Sequence, residues 1–195
     1  MSPNTRKISP SVTQMIRTDH EQVMILFHRL APDTLESDRA TIVRRICAML
    51  EIHAQLEEEI FYPTLQQFGI QSPALDNAVS DHEKMRRLIA RVRSLDGQRT
   101  PQDDAVNELI NAVLHHVADE ETQVLPAAER FLTGERLVDL GGRMAARRIE
   151  LALPRAADMA SPAPAKTALV TVGALVAGSL LLKSLRRGRS LPAPY

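Results

Sequence analysis

The 195-residue chain has a single cysteine, no tryptophan, two tyrosines and four phenylalanines, and its 24 lysines and arginines are matched by 24 aspartates and glutamates. A lone thiol, Cys47, makes no intramolecular disulfide, which excludes a disulfide-built secreted scaffold and any zinc or iron–sulfur site assembled from several cysteines. Zero net charge supplies no surplus of cations to neutralise phosphates, so no nucleic-acid partner is expected. Aromatic and β-branched runs are too sparse for an all-β fold. Residues 1–9 are polar and lack an apolar stretch, so they do not read as a secretory signal, and the expected location is cytoplasmic. What the chain does have is 44% hydrophobic residues, enough to bury a core in one domain with an appendage, which rules out disorder of the whole chain.

Capping signals mark out four long helices. Ser9 before Pro10, Ser72 before Pro73 and Thr100 before Pro101 each pair an N-cap hydroxyl with a proline suited to the first helical position. Gly69 and Gly97 supply the positive-φ residue that ends the helix before each of them. The expected helices cover about 10–30, 38–68, 73–95 and 101–132. Connections this short join antiparallel neighbours, so the expected fold class is all-α, an up-down antiparallel four-helix bundle. A domain over 9–133 is followed by a short extra helix over 134–153, interrupted by Gly141 and Gly142, and a Pro/Ala-rich linker over 154–166.

Each helix has an apolar seam at alternating steps of three and four. The first reads Ile16, His20, Val23, Phe27, Leu30, and the third reads Leu75, Ala78, His82, Met85, Ile89, Val92. On the second the seam runs Ile42, Ile46, Met49, His53, Leu56 with Glu57, and Ile60; on the fourth it runs Val106, Leu109, Val113, His116, Glu120, Val124. Four histidines and two glutamates thus stand where apolar side chains belong.

These residues repeat. The stretches from His53 to Pro63 and from His116 to Pro126 are both H-x3-E-E-x4-P, and Asp19-His20-Glu21 is matched by Asp81-His82-Glu83, so the bundle reads as a duplicated helical hairpin. One H-x3-E-x5-P is expected by chance roughly 0.02 to 0.03 times in a chain of this composition, so coincidence is a poor account of two copies. Four residues turn an α-helix by about 400°, which puts His and Glu on one face within reach of one metal centre. Unpaired in a core, these groups would cost several kcal/mol per charge. A cation removes that cost. The competing reading is a buried His–Glu hydrogen-bond network. Imidazole and carboxylate without thiolate suit iron, manganese or zinc, and two histidines per side with two glutamates able to bridge point to a dinuclear site, with iron favoured. Pro63 and Pro126 are expected to kink their helices.

With these motifs the chain resembles the hemerythrin-like (HHE cation-binding) family over about residues 11–131. That resemblance implies a four-helix bundle with a non-haem di-iron centre, His20, His53, His82 and His116 as terminal metal ligands and Glu57 and Glu120 as bridging carboxylates. It also implies small ligands such as O2, NO or peroxide, in sensing, detoxification or iron handling, with peroxidase- or catalase-like turnover as an enzymatic variant. Ferritin-like Glu-x-x-His pairs are not present. Oxygen carriers of the family have a further histidine one turn after the third-helix ligand; Arg86 stands there, which favours metal binding over reversible oxygen carriage. The alternative is a non-catalytic, metal-stabilised bundle serving as a membrane-tethered interaction module.

Around the six, Glu58 and Glu121 lie about 100° off the ligand face, as do Glu21 and Glu83, and are read as solvated or as orienting the metal-bound histidines. His28 and His115 are read as structural or rim residues, Cys47 as a small buried hydrophobe, and Tyr62, near the end of the site, as packing, with electron transfer as the alternative.

The last third is a different physical object. Residues 167–182 are 16 without charge, spanning about 24 Å as a helix, and counting 163–185 brings the length to that of a membrane span. A hydrophobic helix over 167–185 is therefore expected to act as a membrane anchor, the competing reading being a helix that packs on a partner or a second copy. Gly173 with Ala177 and Ala174 with Gly178 would allow close helix pairing. The basic tail over 186–195, with Lys183 before it, favours a cytoplasmic C-terminus, which opposes the missing signal; the expected arrangement remains a cytoplasmic-facing bundle.

Overall fold

The computed structural model describes residues 10–31 and 33–159, with side chains described as far as Leu153. By its contacts the chain divides into a unit over Met1–Leu153 and a unit over Pro154–Tyr195. The hydrophobic helix expected over 167–185, the basic tail and most of the linker lie outside the described residues. Among the described residues every regular element is helical: α1 (Val12–His28), α2 (Glu36–Leu56), π1 (Glu57–Phe61), α3 (Tyr62–Gln67), α4 (Pro73–Ser94), α5 (Arg99–Asp119), π2 (Glu120–Val124), α6 (Leu125–Phe131) and α7 (Gly134–Met159). Since α2, π1 and α3 are continuous, as are α5, π2 and α6, four helical rods form the body and α7 is added to it.

Local chemistry sets the ends. Ser11, not Ser9, caps α1: its side chain accepts from the Gln14 amide while the Gln14 side chain accepts from the Ser11 amide, a capping box that proline at position 10 does not provide. Ser72 caps α4 with Pro73 in the first turn, as expected. Thr100 is not a cap; α5 begins at Arg99 after Gln98. Gly69 has φ 69°, and Gly69 and Ile70 donate to the carbonyls of Gln66 and Leu65, closing α3 with a Schellman turn.

The two internal prolines do something more specific than kink a helix. Each follows a five-residue π segment, in which Tyr62 N–H donates to the Glu57 carbonyl and Leu125 N–H to the Glu120 carbonyl, five residues back. Pro63 and Pro126 bring no N–H and cannot continue an α ladder through the preceding turn. The widened turn absorbs the defect, and in both repeats it opens on the seam glutamate.

The core consists of two apolar clusters with the polar residues between them. One contains Ile16, Leu56, Ala78 and Val124; the other contains Val23, Leu50, Met85 and Val113. On each rod the seam histidine falls between one member of each cluster. Followed along the chain, the rods cross from one cluster to the other in alternating sense.

Helix α7 runs unbroken through Gly141 and Gly142 and continues to Met159, past the boundary expected at 153. It packs Leu137, Leu140, Met144 and Leu151 into the first cluster. Gly141 meets the start of α1, where a methyl group would run into the Pro10 carbonyl oxygen and stand 3.0 Å from Ser11 C and Val12 N, whereas one on Gly142 would meet nothing. Gly141→Ala is therefore expected to lower stability by about 1–3 kcal/mol, as overpacking does. Gly142→Ala should raise it by up to about 1 kcal/mol through helix propensity. Thermal melts of the pair check the contrast, and equal shifts would show that α7 does not dock as described.

Candidate metal centre

All six seam residues meet in the layer between the apolar clusters, and all are buried: Glu57 and His82 are 0% exposed, Glu120 1%, His116 2%, His20 4% and His53 5%. His20 comes from α1, His53 from α2, His82 from α4 and His116 from α5, while Glu57 and Glu120 open the π segments. Their donor atoms form two groups, each within 4.8 Å: His20, His53, Glu57 and Glu120 in one, Glu57, His82 and His116 in the other. Glu57 belongs to both. Its Oε2 lies 3.3 Å from His53 Nε2 and 3.3 Å from His82 Nε2; Glu120 Oε2 lies 3.3 Å from His20 Nε2 and 3.6 Å from His116 Nε2.

Outside these groups, carboxylates take the far side of the rings. His20 Nδ1 is 2.8 Å from Glu121 Oε1, His82 Nδ1 is 2.9 Å from Glu58 Oε1, and His53 Nδ1 is 3.4 Å from Asp19 Oδ2. A carboxylate accepts there, so each ring keeps its proton on Nδ1 and turns an Nε2 lone pair inward. Arginines hold the carboxylates in turn: Arg17 donates to Glu121 at 3.0 Å, Arg86 to Glu58 at 2.7 Å, and Arg148 to both oxygens of Asp19 at 2.6 and 2.5 Å. The second glutamate of each E-E pair thus orients a histidine from another rod, and Arg86 supports one of them.

Lone pairs facing carboxylates make an unstable layer for protein atoms alone. His20 Nε2, Glu57 Oε1 and Glu120 Oε2 are buried without a hydrogen-bond partner, and His82 Nε2 and His116 Nε2 face each other at 3.1 Å. The groups answer with displaced protonation. Burial and the charge of Glu120 push the Glu57 carboxyl up, whereas Glu120, although burial raises it, is held below its usual range by His20 and the other imidazoles. Burial pulls His20 down, but Glu120 and Glu57 outweigh it and lift it to about 9, and burial drives His116 down to about 3. Protons stand where positive charge is called for, and divalent cations between these donors would replace them. The residues fit such a group.

Tyr62, read from the sequence as packing, is part of the layer. Its hydroxyl lies 3.0 Å from Glu57 Oε2 and 2.8 Å from Glu120 Oε1, and its ring stacks on His82 with centroids 5.7 Å apart. Asp19 and Arg148 were also missed as functional residues. The repeated D-H-E was a signal for Asp19, but nothing in the sequence signalled Arg148. Glu21 and Glu83 are exposed, as are His28 and His115, and Cys47 is 1% exposed with its thiol pushed up to about 11 by burial.

Comparison with known proteins bears on the fold and the family. The chain is 26% identical over 126 residues to a DNA nickase of Nostoc sp., a stretch that is 65% of this chain and only 36% of that protein. It also resembles in fold the crystal structure of a hemerythrin HHE cation binding domain-containing protein from Mycobacterium kansasii, with a TM-score of 0.66 and 19% identity over 78% of this chain and 94% of that one. The profile of the hemerythrin HHE cation binding domain matches residues 11–129, the span from the cap of α1 to α6 that holds all six buried donors, and the chain belongs to that family.

Proposed function

We propose that the chain holds a non-haem di-iron centre and uses it to bind O2, NO or peroxide in sensing, detoxification or iron handling. His20 and His53 would serve one cation and His82 and His116 the other, with Glu57 and Glu120 between them. The observation that supports this most is the pair of donor groups sharing Glu57, because one carboxylate offered to two sets of imidazoles is the arrangement a bridged pair of cations requires. A bound di-iron pair supplies redox-active Lewis acidity toward small ligands. Iron is favoured over zinc or manganese by the resemblance; the thiolate-free donor set is compatible with all three.

The chain's own residues supply the rest. Glu121, Asp19 and Glu58 fix the Nδ1 protons of three rings, so that their Nε2 atoms remain available as donors. Tyr62 holds a phenolic proton at the two central carboxylates, and burial together with the charges of Glu57 and Glu120 keeps that proton on the oxygen. The two apolar clusters exclude water from above and below the layer. A surface groove lined by Arg17, His20, Glu21, Met24, Ile25, Val117 and Glu121 lies beside His20. Arg86 takes the place of a further imidazole and is engaged with Glu58, which favours ligand turnover or sensing over carriage.

Membrane tethering is proposed on the apolar sequence over 167–185 alone, with the bundle facing the cytoplasm. Among the described residues no helix is long and apolar enough to cross a membrane. Balanced charge gives no general attraction for phosphate backbones, so the nicking activity named for the Nostoc protein is not carried over to this chain. Elemental analysis of the purified protein with optical spectra decides the matter. Iron near two per chain and a near-UV charge-transfer band that changes with O2, NO or peroxide are expected. Two equivalents of a metal that leaves the spectrum indifferent to all three would favour the structural reading instead.

A further inference from the structure

We propose that Arg148 of α7 is a positioning residue for the metal centre: acting through Asp19 and His53, it makes the cation position formed by His20, His53, Glu57 and Glu120 the tighter of the two. The proposal rests on the two-cation reading above and adds an inequivalence that the duplicated motif does not suggest.

The path is short and rigid. Both terminal nitrogens of Arg148 donate to the two oxygens of Asp19, a two-pronged pairing that fixes the carboxylate in plane as well as in position. The Asp19 side chain is only 8% exposed against 33% for Arg148, so the guanidinium closes over a carboxylate that water scarcely reaches. Behind it, Asp19 Oδ2 faces His53 Nδ1. Arg148 is itself held. One turn earlier Met144 is 0% exposed in the apolar cluster, Gly141 lies against the backbone of residues 10–12, and neighbouring Arg147 pairs with Glu59 in the middle of the metal-binding π turn.

The duplicated half lacks this brace. Asp81 occupies the repeat position of Asp19 and His116 that of His53, yet among the described residues no carboxylate is hydrogen-bonded to His116 Nδ1 and no arginine pairs with Asp81. The first donor group therefore has both imidazoles held from behind, His20 by Glu121 and His53 by Asp19. In the second only His82 is held, by Glu58. A ring already oriented loses less freedom on ligation, and a carboxylate on Nδ1 makes Nε2 the better donor. Sequence duplication gives two similar donor sets; the added helix makes one of them stronger.

The test is titration of the purified, metal-free full chain with Co2+ under anaerobic conditions, followed by visible absorption and calorimetry. Wild-type protein is expected to take two Co2+ in resolved steps. Arg148→Gln should weaken the first step by roughly ten- to a hundred-fold, the usual effect of losing an outer partner, and leave the second unchanged. Arg148→Lys, which keeps the charge without the fork, should fall between, and Asp81→Asn should move neither step. If Arg148→Gln does not reach wild-type helix content, Arg148→Lys carries the comparison. Unchanged constants and cobalt spectrum in the variant that folds overturn the proposal, as does equal weakening of both steps or a wild type whose two steps are indistinguishable. A wild type that takes up no Co2+ overturns the two-cation reading itself.

Discussion

Glu57→Gln is expected to lower the affinity for both cations by more than about 100-fold, beyond the range typical of partners outside the ligand set, while leaving the metal-free fold as stable as wild type or more so. Glu57 is the one residue common to both donor groups, so its loss removes a donor from each. Glu120→Gln should act less evenly, because Glu120 is grouped with His20 and His53 and stands 3.6 Å from His116. Stability moves the other way. Burial and Glu120 raise the Glu57 carboxyl from its ordinary 4.5, so the folded state binds the proton more tightly than the unfolded chain does. The sign follows directly: the contribution of Glu57 is fully present below pH 4.5 and is lost as pH rises through the raised value. Glutamine keeps the shape and has no charge to bury, so the variant should lose that part of the decline in metal-free stability toward neutral pH. Metal content and melts of the stripped proteins at several pH values measure both halves. Retention of two cations by Glu57→Gln would remove the bridging role assigned to this residue.

The sequence was most informative where its chemistry conflicted with its periodicity. Six polar residues in apolar seams, repeated with the same spacing, located a polar layer before any coordinates did, because four- and three-residue steps fix which side chains share a face. Ser72 with Pro73, and Gly69, marked helix ends correctly because capping depends on a few adjacent atoms. Thr100 failed on the same rule, since a hydroxyl before proline is compatible with a cap without requiring one. Pro63 and Pro126 carried a signal that pattern reading left coarse: a missing N–H shows that a ladder must break, not that a π turn repairs it. Tyr62 was underread because a tyrosine near the end of an apolar seam resembles core, and only the approach of a second rod brings Glu120 to its hydroxyl. Arg148 lies 129 residues from Asp19, and no local spacing encodes a contact made by an added helix folding back on α1.

Stripping the cations with a chelator should lower the melting temperature by tens of degrees without dissolving the helices. A ligand that binds only the folded chain stabilises it by about 4 kcal/mol when present at a thousand times its dissociation constant. Two such sites give about 8 kcal/mol, and at about 2–4 °C per kcal/mol for a domain of this size the expected fall is roughly 16–32 °C. The helices should survive because the apolar clusters on either side of the polar layer do not depend on it: Leu56, Phe61, Leu65 and Leu125 form one, Ile46, Ile89, Leu109 and Val113 the other, and continuous rods join them. What the stripped layer retains is a set of inward-facing lone pairs and carboxylates that only displaced protons reconcile, and that is where the lost stability resides. Calorimetry with far-UV circular dichroism on the same samples separates the two quantities. Complete loss of helix on chelation would show that the metal builds the bundle, as the structural alternative requires; a shift of only a degree or two would show that the six buried donors are satisfied by one another.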